Sequence, residues 1–360
     1  MAAKDVITDT AKEEALPIPV PSLWWCHWQG LKGLNSRRLT IADVDLRNKW
    51  IIITGGNSGI GKEAGLQFVK WGASIVLGCR DPPPHEMHPD AVVQEFKAAA
   101  ISAGHPDTVI EWWKCDMSSL ESVKAFGKRW LKTDRALDIL ANNAGLAGSR
   151  KVQHTVDGFD LVHQVNFISH VLLTLTLLPS LAKASEPRII CTTSCMQYLG
   201  IFNLENANSG IRAYPNNKLY FQTWLTELQA RMLKNDNYKH IVIQGIHPGF
   251  VKTNIWPSAQ VSPDKPTSLS WMEFFLKHFG IDAQQGSLAI ISAATLPEWG
   301  LEQQTPDGKV RGGGGRYCNR IWEEEPMPQT KHPVCRREVW DFVSEELNLE
   351  EKGLLNGLKI

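Results

Sequence analysis

Residues 50–61 read WIIITGGNSGIG and carry the clearest structural signal in the chain. The run from Trp50 to Thr54 is apolar and rich in β-branched side chains, which is typical of a buried strand. Gly55, Gly59 and Gly61 let the chain turn tightly and let a phosphate approach the backbone. A helix that begins after this turn presents free N–H groups and the positive end of its dipole to that phosphate. The stretch therefore predicts a strand, a phosphate-binding turn and a helix.

Strand-like and helix-like segments continue to alternate after this turn. The predicted strands are residues 50–54, 74–77, 109–115, 137–141, 188–193 and 240–246. The predicted helices are residues 61–71, 89–103, 118–132, 160–184 and 219–234. Right-handed connections between such units produce a doubly wound parallel sheet that binds ligands at the carboxyl ends of its strands. We therefore predict an α/β fold with a Rossmann-like, three-layer α/β/α arrangement.

The segments group into one domain with two extensions. We predict an N-terminal extension at residues 1–47, a nucleotide-binding domain at 48–320 and a C-terminal extension at 321–360. A substrate lid is expected at about residues 254–280, where aromatic residues are frequent. These aromatics can either line an apolar substrate pocket or pack in the core.

Composition excludes several classes of protein. The 38 Lys and Arg residues balance the 38 Asp and Glu residues, so neither a basic nucleic-acid-binding surface nor an acidic tail is expected. The seven cysteines show no metal-ligand spacing and predict reduced thiols and no metal site. No secretory signal is recognisable, and the longest apolar run is shorter than the roughly 20 residues of a membrane-spanning helix. We therefore predict a soluble, cytoplasmic protein without a transmembrane segment.

The N-terminal extension contains a tryptophan cluster formed by Trp24, Trp25 and Trp28. These side chains can pack onto the main domain. They can also contact a partner or attach the protein peripherally to a membrane surface.

The spacing TGxxxGxG at the turn resembles that of the short-chain dehydrogenases/reductases, and the resemblance covers roughly residues 48–320. It implies that a nicotinamide cofactor contacts the turn. The turn residues expected at the cofactor are Gly55, Asn57, Ser58, Gly59, Ile60 and Gly61. The sequence NNAG at residues 142–145 is a further family signal, and it places Asn143 at the cofactor and Asn142 in a structural role.

The end of the second strand bears on the choice of cofactor. In the family pattern the acid that selects NAD falls at Cys79, which cannot hold a ribose hydroxyl in that way, while Arg80 can pair with a 2′-phosphate. We therefore predict NADP(H), with NAD(H) as the weaker alternative. Asp116 follows the third strand and is expected at the adenine amino group, with a plain helix-terminal charge as its alternative. Ser118 and Glu121 have the capping-box spacing, which would leave Asp116 free.

Of the five tyrosines, only Tyr214 has a lysine four residues later, Lys218, on the same helical face. A phenol with a pKa near 10 needs a nearby cation to act as an acid–base group at neutral pH, and Lys218 is expected to lower the pKa of Tyr214. Both residues are also expected to contact the cofactor. Ser194, at the end of the fifth strand, can polarise a substrate oxygen.

The family resemblance implies three further roles. Asn166 would complete a catalytic set with Ser194, Tyr214 and Lys218 by holding a relay water, although it can also be a satisfied core amide. Val251 and Thr253 lie in a PGxVxT element and would meet the nicotinamide carboxamide or the phosphates.

Residues 155–160 and 79–81 narrow the resemblance to the retinol dehydrogenase-like branch, whose members act on hydrophobic carbonyls and alcohols. We therefore predict an NADP(H)-dependent oxidoreductase that interconverts a carbonyl and an alcohol on a small hydrophobic substrate. Its setting could be a tailoring step in secondary metabolite biosynthesis. The alternative is a catalytically silent NADPH-binding regulatory protein. Relatives often pair through the Asn166 and Tyr214 helices, which implies a homodimer or homotetramer.

Overall fold

The structure, a computed structural model, describes six stretches of the chain. These are residues 17–83, 86–147, 152–210, 212–252, 280–304 and 310–358. Thr253 and all of the predicted lid except Gly280 lie outside the described residues. The predictions made for them therefore stay predictions.

The first six strands of the described chain come from short, largely apolar runs, and the strands after them have only two or three residues each. Their bounds are β1 (Trp50–Thr54), β2 (Ser74–Cys79), β3 (Ile110–Lys114), β4 (Ile139–Asn142), β5 (Arg188–Thr192), β6 (Val242–His247), β7 (Gln303–Gln304), β8 (Val310–Arg311), β9 (Tyr317–Asn319) and β10 (Trp322–Glu324). The six predicted strands are confirmed as β1 to β6.

Eight strands form one sheet in the order β10-β9-β6-β5-β4-β1-β2-β3, and only the β9–β10 pair is antiparallel. In this sheet β1 lies between β2 and β4, with Ile51 paired to Ile75 on one side and to Ile139 on the other. The strand order reverses at β1, so a crevice opens at the carboxyl ends of β1 and β4. The doubly wound α/β fold is thus confirmed.

Helices cover both faces of the sheet. Their bounds are α1 (Leu23–Lys32), α2 (Gly59–Lys70), α3 (Pro89–Ser102), α4 (Leu120–Leu131), α5 (Leu161–Leu181), α6 (Ala213–Met232), α7 (Ala283–Thr295) and α8 (Pro333–Glu346). Apolar side chains of α2, α3 and α7 form a core on one face, and those of α4, α5, α6 and α8 form a core on the other. The molecule therefore has the three layers that the sequence predicts.

Helix α5 is the one helix in the described chain that is long and apolar enough to cross a membrane. Its 21 residues lie under the sheet, and 89% of its most apolar window is buried within the fold. Residues Gln164–Ile168 in its first half form a π-helical turn. The burial explains its largely apolar composition, because a helix enclosed by protein does not need a polar face toward water.

The start of α4 differs from the predicted capping box. Ser119, not Ser118, is the N-cap, and its hydroxyl accepts a hydrogen bond from the Ser122 N–H at 3.3 Å. The Ser118 hydroxyl instead donates to Asp116 Oδ1 at 2.7 Å. The prediction that Ser118 caps the helix and leaves Asp116 free is therefore wrong, because this local hydrogen bond competes with capping.

Both extensions pack on the central domain. Helix α1 lies against the turn at Cys195–Leu199, and α8 lies against α6. The boundary predicted at residue 320 falls within the β9–β10 hairpin.

Candidate active site

The turn after β1 forms a narrow backbone cradle. Gly55 has a φ of +65°, and a Cβ there would lie 3.1 Å from Ala144 Cα. A Cβ at Gly61 would collide with the Asn143 amide and lie 2.6 Å from the Gly55 carbonyl oxygen. Ser58 precedes α2 without a side-chain cap, so the N–H groups of the first helical turn keep their binding capacity. The cradle is suited to a phosphate group.

Asn143 and Thr54 fasten this cradle to the end of β4. The Thr54 hydroxyl oxygen accepts hydrogen bonds from the N–H groups of Asn143 at 2.9 Å and Ala144 at 3.0 Å. Asn143 Nδ2 donates to the Thr54 carbonyl oxygen at 3.0 Å. Asn143 Oδ1 is buried and has no hydrogen-bond partner among the described residues. It is an acceptor placed beside the turn, and burial of such a group favours a ligand or water as its partner.

Asn142 serves the sheet instead. Its side chain is buried and donates from Nδ2 to the Thr174 hydroxyl at 2.7 Å, which ties β4 to α5.

A second polar group lies where β2 ends. Arg80 is 57% exposed and pairs with Glu86 at 2.9 Å. The preceding Cys79 is buried, and burial raises the pKa of its thiol to about 12. A neutral thiol cannot replace the carboxylate that holds a ribose hydroxyl, whereas the Arg80 guanidinium is accessible to an anion.

Asn57 and Ile60, also in the turn after β1, contact neighbouring segments at the crevice. Asn57 Nδ2 donates to the Met87 carbonyl oxygen at 3.2 Å, which attaches the turn to the loop after β2. Ile60 and Val251 approach each other at Gly286, where a Cβ would lie 2.8 Å from Ile60 Cγ2 and 2.6 Å from Val251 Cγ2. The PGxV element is therefore close to the glycine turn, as a shared cofactor requires.

Ser194 and Tyr214 meet at the carboxyl end of β5. Ser194 lies two residues after the end of β5. Tyr214 is the second residue of α6, whose N-cap Arg212 has a φ of +49°. The Ser194 hydroxyl is hydrogen-bonded to the Tyr214 phenol. Its oxygen also accepts from the Met196 N–H at 3.1 Å, so its own hydrogen is available to an oxygen on the Tyr214 side.

Lys218 lies one turn further along α6 and is buried. Its ammonium donates to the Thr192 carbonyl oxygen at 2.7 Å and lies 5.5 Å from the centroid of the Tyr214 ring. Two of its three N–H donors therefore remain for other acceptors.

The expected lowering of the Tyr214 pKa is wrong for the chain by itself. Burial raises the pKa of Tyr214 to about 12, with the hydrogen bond from Ser194 acting in the opposite direction. Burial also lowers the pKa of Lys218 to about 8. Desolvation opposes both charged forms and is the largest cause of both shifts.

Asn166 is buried in the π-helical turn of α5. Its Oδ1 accepts from the Leu146 N–H and its Nδ2 donates to the Leu146 carbonyl oxygen, both at 2.8 Å. Its side chain therefore ties α5 to the loop after β4, as the core-amide alternative requires. Its part in a proton relay stays a prediction.

Thr54, Cys195 and His247 also lie at this edge, and the sequence assigns no site role to them. The threonine before the first glycine was readable as a hydroxyl at a strand end. Cys195 and His247 carried no such signal, because only the fold brings the ends of β5 and β6 together. Burial lowers the pKa of His247 to about 4, so its imidazole is neutral at physiological pH. In the described residues no group of three or more His, Cys, Asp and Glu side chains could hold a metal ion.

Comparisons with known proteins identify the family of the chain. Residues 49–263 match the family model described as short chain dehydrogenase. Human retinol dehydrogenase 14 is 29% identical over 311 residues, which cover 82% of this chain and 85% of the relative. Human retinol dehydrogenase 11 is 28% identical over 336 residues, covering 92% and 95%.

Solved structures share the fold. A putative uncharacterized protein from Mycobacterium paratuberculosis aligns with a TM-score of 0.58 at 22% identity and covers 86% of this chain and 97% of its own. The NADPH-dependent 3-quinuclidinone reductase from Rhodotorula rubra aligns with a TM-score of 0.51 at 19% identity, covering 78% and 91%.

The relatives also correct one prediction. Retinol dehydrogenases 11–14 are membrane-associated enzymes, so the predicted plain cytoplasmic location is wrong. The family match and the relatives together show that the chain belongs to the retinol dehydrogenase-like branch of the short-chain dehydrogenases/reductases and is an oxidoreductase of carbonyl and alcohol groups.

Proposed function

We propose that the chain interconverts a carbonyl and an alcohol on a small hydrophobic substrate, with NADP(H) as the hydride carrier. The observation that carries this proposal is the convergence of Ser194, Tyr214 and Lys218 at the edge that also holds the glycine cradle. The cradle fits a dinucleotide because side chains at Gly55 and Gly61 would fill it. The nicotinamide ring, when bound, supplies or accepts the hydride.

Each polar residue then has a defined task. Ser194 donates its hydrogen to the substrate oxygen and orients the carbonyl. Tyr214 gives its phenolic proton to that oxygen during reduction and takes it back during oxidation. The Lys218 ammonium stabilises the phenolate that remains and offers its unused donors to a cofactor ribose and to the relay. Asn166 holds the start of this relay in place.

Preference for NADP(H) rests on the end of β2. Arg80 offers an accessible guanidinium for a 2′-phosphate, while the buried Cys79 thiol has no charge with which to hold a ribose hydroxyl. Asp116 is oriented by Ser118 and remains the proposed acceptor for the adenine amino group.

The substrate proposal draws on the relatives. Their names point to retinoids, so retinal is a suitable first probe beside linear aldehydes and ketones of increasing length. The same chemistry would serve a tailoring step in secondary metabolism, which metabolite profiling of a deletion strain would detect.

Replacement of Tyr214 tests the proposed mechanism. Tyr214→Phe removes the only proton that the phenol can transfer, so turnover of NADPH with these carbonyls should fall by at least about 10²-fold, within the range for general acid catalysis. Binding of NADPH, followed by its fluorescence, should persist.

Tyr220→Phe is the matched control, because Tyr220 is a buried phenol on the same helix that donates to the Asn203 carbonyl oxygen at 2.8 Å. It should retain turnover. Substantial activity in Tyr214→Phe would overturn the mechanism.

A further inference from the structure

The N-terminal helix α1 lies on the edge of the sheet that carries the catalytic pair. Ser22 caps this helix, and Cys26 is buried in an apolar cluster with Cys195 and Tyr198. The Trp25 ring packs edge-on against the Tyr198 ring, with centroids 5.6 Å apart. One face of α1 thus covers the turn that begins immediately after Ser194.

Gly33, immediately after α1, lies close to two side chains at the catalytic edge of the sheet. A Cβ on Gly33 would lie 2.8 Å from both Cys195 Sγ and His247 Nε2. Cys195 is the neighbour of Ser194, and His247 precedes the turn that leads to Val251. The end of α1 therefore lies close to Cys195, which adjoins Ser194, and to His247 at the end of β6.

Several polar contacts fix the following arm in this position. Lys32 pairs with Glu324 at 2.7 Å. The buried Arg320 donates from Nη1 to the Asn35 carbonyl oxygen at 2.7 Å. Gln285 accepts from the Leu39 N–H at 2.8 Å and donates to its carbonyl oxygen at 3.0 Å. Arg320 and Gln285 are buried, and buried polar groups with hydrogen-bond partners give one defined position to a segment outside the sheet.

We propose that α1 is a wall of the substrate pocket and that Trp25 and Gly33 set the length and bulk of the carbonyl substrate. This inference rests on the proposed function, because it takes the Ser194–Tyr214 pair as the place of reaction. Cys195 adjoins Ser194 and shares one apolar cluster with Cys26 of α1, and Trp25 and Phe250 pack against this cluster, so an apolar substrate that extends from this pair along the cluster would contact α1. The N-terminal extension therefore contributes to specificity although the sequence separates it from the catalytic domain.

Gly33, which follows the last residue of α1, and Gly30 within the helix provide a matched test. Gly33 has a helical φ of −63°, so alanine suits its backbone, but the added methyl group must displace Cys195 or His247. Gly30 lies one turn earlier, and a Cβ there meets nothing within 4 Å. We would measure steady-state kcat/KM for hexanal and for dodecanal, with NADPH, in three full-length proteins. These are the unaltered chain, Gly33→Ala and Gly30→Ala.

In Gly33→Ala the ratio of kcat/KM between dodecanal and hexanal should change by about tenfold, since a methylene-sized difference in a pocket alters discrimination by about 10- to 200-fold. In Gly30→Ala the ratio should stay as in the unaltered chain. If α1 had a purely structural role, kcat/KM would fall equally for dodecanal and hexanal. An unchanged ratio between these two kcat/KM values in Gly33→Ala therefore overturns the inference.

Two adjacent tryptophans give a second test should Gly33→Ala fail to fold. Trp25→Ala removes the ring that packs on Tyr198 and should raise the dodecanal preference, whereas Trp24 is 78% exposed and Trp24→Ala should leave the preference unchanged. Equal ratios in this pair would also overturn the inference while the proposed function stands. An unaltered chain that reduces neither aldehydes nor retinal would overturn the proposed function, and the wall with it.

Discussion

Burial shifts the pKa values of Tyr214 and Lys218 in opposite directions. The pKa of Tyr214 rises to about 12 and that of Lys218 falls to about 8, so both residues favour their neutral forms. At neutral pH the Lys218 ammonium still persists, and it loses its charge as the pH rises through about 8. The phenol is protonated throughout this range, which suits a group that must deliver a proton.

Arg80 carries the prediction on cofactor choice. Arg80→Asp replaces the cation at the end of β2 with a carboxylate, which repels a 2′-phosphate but accepts hydrogen bonds from a ribose. We expect the KM for NADPH to rise at least about tenfold, equivalent to the loss of about 1.4 kcal/mol of binding, and the KM for NADH to change far less. Initial rates at varied concentrations of each cofactor provide the measurement.

Glu86→Gln is the control for Arg80→Asp. It removes the carboxylate that pairs with Arg80 at 2.9 Å and keeps the guanidinium, so preference for NADPH should persist. Equal shifts in both KM values for Arg80→Asp would contradict the assignment.

At the level of single elements, local sequence was sufficient for the strands and turns around the site. The apolar run at Trp50–Thr54 and the glycines after it form the predicted strand and cradle, because these features depend on neighbouring residues. The π-helical turn around Asn166 depends on contacts with Leu146 from another part of the chain. The pKa of Tyr214 likewise depends on burial by distant residues, so its direction could not be read from the spacing to Lys218.

Helix α8 is the element with the clearest mutational prediction. Trp340 is 3% exposed, stacks on Trp224 with ring centroids 6.4 Å apart, and receives the Arg231 guanidinium at 4.1 Å. Trp340→Ala should lower the free energy of unfolding by about 3–5 kcal/mol, the usual cost of removing a buried indole. Urea denaturation followed by circular dichroism measures this loss.

Trp28 offers the comparison for that measurement. It is 54% exposed, so Trp28→Ala should change stability by no more than about 0.5 kcal/mol. If the free energy of unfolding fell as little in Trp340→Ala as is expected for Trp28→Ala, α8 would not stabilise the core as we predict.

For the molecule as a whole, buried neutral histidines predict sensitivity to acid. Burial lowers the pKa of His170 to about 3 and that of His247 to about 4, both from an ordinary value of 6.5. Between pH 6.5 and these values the unfolded chain binds more protons than the folded chain. The free energy of unfolding should therefore fall with decreasing pH, by up to about 1.4 kcal/mol per pH unit for each histidine.

Urea denaturation at several pH values in this window tests that slope. His170→Gln keeps an N–H that can reach the Ala144 carbonyl oxygen, which His170 Nε2 contacts at 2.8 Å, but it does not titrate. The variant should show a shallower loss of stability in acid. The same slope as in the unaltered chain would contradict this explanation.

The extensions set the limit of what the sequence could predict for the molecule. The proline-broken N-terminal stretch gave no periodic signal, yet Arg320, Gln285 and Glu324 hold it on the sheet edge. β9 and β10 have three residues each, too few for an alternating pattern. Such segments take their structure from tertiary contacts, which a local pattern does not contain.

Because α8 packs on α6 and is synthesised last, its packing has a consequence for the protein during translation. Trp224 leaves the ribosome long before Trp340, so the face of α6 that the two rings close is bare while the chain is still being made. The hydrogen bond between His163 Nε2 and Glu346 Oε2, at 2.9 Å, also forms only after α8 has been synthesised. A chain cut short after residue 330 would keep the residues proposed for catalysis and still present an open indole surface to chaperones and to other nascent chains. The apolar face of α6 is thus covered only when synthesis of α8 is complete, later than the residues of the catalytic edge are made.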